Sequence, residues 1–242
     1  SLISALFFIP MLVTNFYLVR DSYRDFVHTK TEINGLQLLD RSLKTTVQLE
    51  DWHDLLRLNA VIGQGGATAE LEQRIEALQQ NISSQWQSLE LLVEDEEQRA
   101  DFAVKRDELL ERLAATRNEA SLQNRAVLAS ELLASGILFN RFIASQTGLS
   151  QDTQLEVRHL VALITDVTPD VTLSLGEGRV VASLSMARGY LDSTNSTRLD
   201  ELQVSLEKLN AEYDMKLKEA LSGSSTAFQA LNGAAVESRS TL

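Results

Sequence analysis

From Ile33 onward, apolar residues recur in alternating steps of three and four, with only a few interruptions. That spacing is the α-helical period, and the alternation of a half-buried strand is nearly absent. Leu, Ala, Glu, Gln, Arg and Ser dominate the composition, and most of these favour helix. Prolines number two, Pro10 and Pro169. The chain is therefore expected to be all-α, and its few breaks decide how the helices are cut.

The first helix is expected to run from about residue 21 to Ile62, with the stripe Ile33, Leu36, Leu39, Leu43, Val47, Leu55, Leu58 and Ile62. Gly63-Gln64-Gly65-Gly66 ends it, because glycine reaches the backbone angles of a helix stop. Thr68 reads as the next N-cap, with Glu70 and Glu72 in a positive first turn. The second stripe is Leu71, Ile75, Leu78, Ile82, Leu89 and Leu92. The acidic cluster Glu94-Asp95-Glu96-Glu97 breaks it and caps a third helix, whose spacing persists to about Thr147 with a kink near residues 118–121. Gly148 reads as a stop and Asp152 as a cap. A fourth helix to Leu191 should be bent by Pro169, which removes a backbone donor and clashes with the preceding turn. The heptad Leu199, Leu202, Leu206, Leu209, Tyr213, Leu217, Ala220 forms a fifth, and a last stretch begins near Thr226. Six such helices of unequal length predict an up-down bundle of two stacked four-helix-like modules that share the long helices. The loops at 63–68 and 148–152 should together form its distal tip.

Ahead of this region, residues 2–19 read LISALFFIPMLVTNFYLV, eighteen residues without a charge. One helix crossing a bilayer needs roughly 20. The expected organisation is a transmembrane helix over residues 1–20, continuous with an extracytoplasmic helical domain over 21–242. The net charge of −12 argues against nucleic acid as a partner and against lying flat on anionic lipid. Cysteine is absent, so there are no disulfides and no thiolate metal sites. The 63–66 glycines follow a helix rather than a strand, so they make no nucleotide-binding loop. No enzyme, cofactor or metal is expected.

Three constellations carry candidate chemistry. Continuing the first stripe from Leu36, Leu39, Leu43 and Thr46 in heptads lands on Glu50, His53 and Arg57. Either the seam turns polar there and forms a small ligand pocket, or a stutter moves the core to Val47, Leu55, Leu58 and Ile62 and leaves the charges solvated. Asn140-Arg141 interrupts an apolar run, and a buried Arg141 would need a carboxylate or an anionic ligand. Arg179 and Arg188 stand in the same position on the fourth helix. Arginine forks match carboxylates bidentately, so an organic acid is the natural small-molecule ligand. Lastly, Glu50-x-x-His53 and Glu156-x-x-His159 repeat the spacing of di-iron carboxylate bundles. With 34 acids and three histidines in the chain, coincidence is the expected explanation.

Several of these stretches resemble the sensory region of one group of bacterial methyl-accepting chemotaxis proteins. The opening LFFIPMLVTNFYLV is similar to their first transmembrane segment, with its mid-span proline. Glu32-Ile33-Asn34-Gly35-Leu36 resembles the Glu-x-x-Gly-Leu that opens their sensory helix. Thr168-Pro169-Asp170-Val171 through Leu175-Gly176-Glu177-Gly178-Arg179 resembles a Leu-Pro-x-Leu…Leu-Gly-x-x-Arg pattern, and Ala187-Arg188-Gly189 with the Leu199 heptad continues it. Where that group carries Asp-Pro-Asp…Tyr-Tyr, this chain has Ser150-Gln151-Asp152-Thr153-Gln154-Leu155-Glu156, so no ligand role tied to that segment carries over. The resemblance implies a periplasmic ligand-sensing domain anchored in the inner membrane, acting as a homodimer. It would bind a small molecule directly; the alternative is a bundle with no small ligand that recognises a periplasmic binding protein or another subunit through the tip at Gly63–Thr68 and Gly148–Asp152. The site residues to test are His53, Arg57, Arg141 and Arg179. Sensors of this type also sit on histidine kinases and diguanylate cyclases.

Overall fold

The computed structural model describes residues 30–63, 69–93, 95–151 and 155–221, and they are all-helical apart from turns. The uncharged run at 2–19 and the stretch after Thr226 lie outside the described residues. The helices are α1 (Lys30–Ile62), α2 (Ala69–Gln87), α3 (Glu96–Asn118), α4 (Leu122–Gln146), α5 (Leu155–Ala162), α6 (Thr168–Arg188) and α7 (Ser193–Leu221). A π turn, Leu163–Val167, joins α5 to α6 without a break.

The caps explain where the chain is cut. Asp95 accepts from the backbone N–H groups of Glu97 and Gln98 at 2.9 and 3.3 Å, as the acidic cluster suggests. Gly148 and Gly189 both take φ of 76°, which a residue with a Cβ rarely adopts. At Pro169 the expected bend takes a specific form. Proline cannot donate to the turn before it, and its ring pushes that turn's carbonyl away. The helix widens into the π turn just upstream, and the Thr168 N–H and hydroxyl both reach back to the carbonyl of Leu163.

One expectation is corrected. The stretch from Glu97 to Thr147 is not a single kinked helix. It ends at Asn118, turns at Glu119 and Ala120, and restarts at Ser121, whose hydroxyl accepts from the Asn124 N–H. α3 and α4 therefore fold back on each other, with Phe102 against Phe139 at 5.3 Å between ring centroids and Arg112 donating to Ser135. The reversal also separates the two loops expected to share a tip. Gly63 lies beside Leu122, at the start of α4, whereas Gly35, near the start of α1, lies against Thr147 at the end of α4. Gly63 and Gly148 thus stand at opposite ends of the α1–α4 pair, and the rest of the expected tip, with the caps at Thr68 and Asp152, lies outside the described residues.

α1 and α4 form the central antiparallel pair, with α2 and α3 packed along one side. Trp52, Trp86, Phe102, Ile75, Ile82 and Leu132 are fully buried there. α6 packs on another face of α1, and α7 runs back along α6 and α5. Among the described residues, α4 is long and apolar enough to cross a membrane by length and composition. Here it is a core helix, with Leu132, Leu133, Ile143 and Ala144 buried against its neighbours.

Candidate functional site

The polar seam of α1 faces inward. Ser42, Thr46, Glu50 and His53 are all buried, while Val47 is half-exposed and Leu55, Leu58 and Ile62 are only partly covered. The apolar core positions of this stretch are Leu49, Trp52 and Leu56. Of the two readings of the heptad, the stutter is the one the structure rejects, because the charges are not left in solvent.

Each seam residue meets a specific neighbour. The Ser42 hydroxyl donates to Asn140 Oδ1 at 2.6 Å, and Asn140 Nδ2 donates to the Thr46 hydroxyl at 2.8 Å. One turn on, Glu50 Oε1 lies 2.7 Å from the hydroxyl of Thr172 on α6. The same hydroxyl stands 3.0 and 3.2 Å from the carbonyls of Pro169 and Thr168, so three acceptors compete for one proton. His53 Nε2 meets Ser130 on α4 at 2.9 Å, and Nδ1 meets Asp54 at 3.3 Å. The Ser130 hydroxyl also lies 3.0 Å from the Ala126 carbonyl one turn back on α4.

Carboxylates and one guanidinium close the site. Arg179 Nη2 reaches Asp54 Oδ2 at 3.1 Å and Asp51 Oδ1 at 3.4 Å. Gly176 makes this approach feasible, since a Cβ there would stand 2.6 Å from Asp54 Oδ2. Burial, and less strongly the neighbouring Asp54 and Asp51, push the Glu50 carboxyl up from 4.5 to about 7, against the pull of Thr172 and Arg179. Burial also raises Asp51, with Arg179 the largest opposing influence. Two aspartates thus share one arginine, beside a buried glutamate that has no ion pair among the described residues.

The sequence-derived candidates separate. His53 and Arg179 belong to this cluster. Arg57, one turn beyond His53, is half-buried and has no hydrogen-bond or ion-pair partner among the described residues. Arg141 is exposed, and its Nε donates to Asp166 of the π turn at 2.8 Å. The buried member of the Asn140-Arg141 pair is Asn140. Its spacing from Ile137, Ile143 and Ala144 places it on the apolar stripe, and that signal was available in the sequence. Thr172, Asp51, Asp54 and Gly176 are site residues that sequence reasoning missed. The two Glu-x-x-His repeats are not brought together. Thr172 stands opposite Glu50, so His159, 13 residues before it, lies about 20 Å along the helix from that level.

Comparison with family models, curated proteins and solved structures finds no match to this chain.

Proposed function

We propose that this chain is the extracytoplasmic sensor domain of a transmembrane receptor of the chemotaxis type, held in the inner membrane by residues 1–20 with the rest in the periplasm. The observation that carries the reading is the buried polar seam at the middle of α1, where Glu50 and His53 meet partners on two other helices. Buried polar groups of this kind are expensive unless function or fold specificity retains them. The resemblance of the N-terminal run, the Gly35 segment and the Pro169 to Arg179 segment to chemoreceptor sensory regions supports the same reading.

In this proposal the bundle is up-down and built from two four-helix-like modules that share α1 and α4, and two copies associate as a homodimer. A small ligand binds beside the seam and favours one packing of α6 on α1. Such differential binding shifts the population of helix positions, and displacements of about 1–2 Å are the usual scale at helix interfaces. α7 carries the shift back along α5 toward the start of α1. For an organic acid, Arg57 is the candidate fork without a partner among the described residues, since Arg141 and Arg179 already hold aspartates. The output module is a chemotaxis signalling domain, a histidine kinase or a diguanylate cyclase.

A second reading is favoured by a separate observation. Met186, Tyr190 and Leu191 are exposed at the α6–α7 turn, Met186 at 76%. A periplasmic binding protein docking on that turn would act without a small ligand in the seam. A thermal-shift screen of the full chain in detergent micelles, against organic acids, amino acids, amines and inorganic anions, decides between them. Binding at a hundred times the dissociation constant stabilises by about 2.7 kcal/mol. A hit that Arg57→Ala abolishes supports direct sensing. Silence across the panel overturns it in favour of the partner protein.

A further inference from the structure

Glu50 joins two helices of the seam through a single hydroxyl. It is 7% exposed, in the middle of α1, and its one hydrogen-bond partner among the described residues, Thr172, follows Pro169 by three residues. The π turn ahead of that proline is tied to α4 on its other side by Arg141 and Asp166. The widened turn, where the backbone ladder is already interrupted, is therefore pinned at two points. One is an exposed ion pair and the other is a buried carboxyl.

The hydroxyl of Thr172 has one proton and two lone pairs. If Glu50 is protonated, its O–H can donate to Thr172 Oγ1, and Thr172 is then free to donate to the carbonyl of Pro169 or Thr168. Each of these groups then has a partner. If Glu50 is ionised, Thr172 must turn its proton to the carboxylate and release the backbone carbonyl. A buried negative charge then stands beside Asp51 and Asp54 with only Arg179 to offset it. Arg179 is itself shared by both aspartates. From the other elements around the seam, Arg74 of α2 acts on Asp51. On α4, Ser130 faces His53 and Arg141 is held by Asp166. Arg198 of α7 is held by Glu177.

We propose that the α1–α6 seam is a proton-linked latch: with a proton on Glu50, Thr172 holds the carboxyl and a backbone carbonyl of α6 together, and loss of that proton frees the carbonyl and leaves a buried charge that loosens α6 on α1 just past the π turn. Burial pushes the Glu50 carboxyl up to about 7, so the latch works near neutrality. The latch is independent of the sensor reading, because it concerns only how two helices of this chain pack.

Amide hydrogen exchange across residues 163–180 of the full chain in detergent micelles tests it. Protection factors, corrected for the intrinsic pH dependence of exchange, are measured from pH 5.5 to 8.5. Wild type is expected to lose at least about tenfold in protection over that range, the free-energy equivalent of moving one pKa by about 1. Glu50→Gln keeps the neutral shape and the hydrogen-bond donor, and should hold the low-pH protection throughout. His53 is intact in that variant, so any dependence arising there would survive and be seen. Thr172→Val removes a donor to the ionised form and should move the midpoint upward by about one pH unit. A merely structural role for Thr172 would leave the midpoint in place. The latch is overturned if wild-type protection does not change with pH, if Glu50→Gln follows the wild-type curve, or if Thr172→Val leaves the midpoint unmoved. Should Glu50→Gln fail to fold, the wild-type curve and the Thr172→Val midpoint still decide.

Discussion

The two sides of α1 are built on different physics. Toward α2, α3 and α4 the interface is mainly shape-filling, with Trp52, Trp86, Phe102, Ile75 and Ile82 fully buried and a few neutral polar pairs such as Ser42–Asn140 set among them. Toward α6 it is polar, with a buried carboxyl, a contested hydroxyl and an arginine shared by two aspartates. Close-packed interiors have few alternative arrangements, because each methylene is already in contact. A hydrogen-bonded seam next to a π turn has several arrangements of similar energy, differing in where protons and charges sit. One helix can thus be fixed on one side and adjustable on the other. That is what a part that must move within a stable domain requires.

The largest effect is expected on the packed side. Trp86→Ala removes a fully buried indole, and such substitutions cost about 3–5 kcal/mol. Met186→Ala, at an exposed position on the α6–α7 turn, should stay within about 0.5 kcal/mol. Chemical denaturation of the full chain measures both. If Trp86→Ala were as mild as Met186→Ala, the packed side would not be the rigid half.

The next effect belongs to the polar side and depends on pH. The Glu50 carboxyl is raised in the folded state from 4.5 to about 7 by burial. Its stabilising contribution is therefore fully present below the unfolded value, about 4.5, and is lost as pH rises through about 7. Moving a pKa by 1 corresponds to about 1.4 kcal/mol, so the loss amounts to about 3 kcal/mol. Denaturation midpoints at pH 5 and pH 8 should differ in that direction in wild type and much less in Glu50→Gln. A wild type that gains stability over the same interval would break the contrast between the two sides.

How much of this could be read from the sequence differs between the two sides for the same physical reason. The inward phase of Glu50 and His53 was legible, because both fall on the heptad that starts at Leu36 and Leu39. The turn at 119–121 was read only as a kink, because no glycine or proline marks it, and a serine cap is a weaker signal. That turn sets the direction of α4, so misreading it placed Gly148 at the wrong end. Thr172, Gly176 and Asp54 were not legible, since what matters is the register between α1 and α6. Nothing local in either segment encodes that register. Arg141 attracted notice for its charge, although the stripe phase belongs to Asn140.

Asn140 supplies a third, intermediate test. It bridges Ser42 and Thr46 inside the α1–α4 contact, on the same helix pair as His53 and Ser130. Asn140→Ala leaves the buried Ser42 hydroxyl without its acceptor, while Thr46 still donates to the Ser42 carbonyl, and the loss costs about 1–3 kcal/mol. Asn140→Leu removes the polar group but not the Ser42 hydroxyl, and should recover little. A neutral outcome for both would mean that this polar layer is not fully desolvated, and would move it to the adjustable side of the comparison.

The smallest effect is expected at the ion pair between Arg141 and Asp166, whose side chains are 47% and 49% exposed. Exposed pairs hold little net energy, because water already solvates both charges and two flexible side chains must be ordered. A double-mutant cycle with Arg141→Ala and Asp166→Ala should give a coupling of about 0.5 kcal/mol or less, shrinking further in about 0.5 M salt. The Arg179–Asp54 pair is a useful contrast, because the Asp54 side chain is only 15% exposed. Its coupling should be the larger of the two and less sensitive to salt, since the aspartate is partly shielded from counterions. That ordering follows from the site's geometry alone. If Arg141–Asp166 proved the stronger and salt-insensitive pair, the π turn would be clamped to α4 more firmly than to α1. The adjustable contact would then lie on the α4 side of the turn, and Glu50 would be a bystander to its movement.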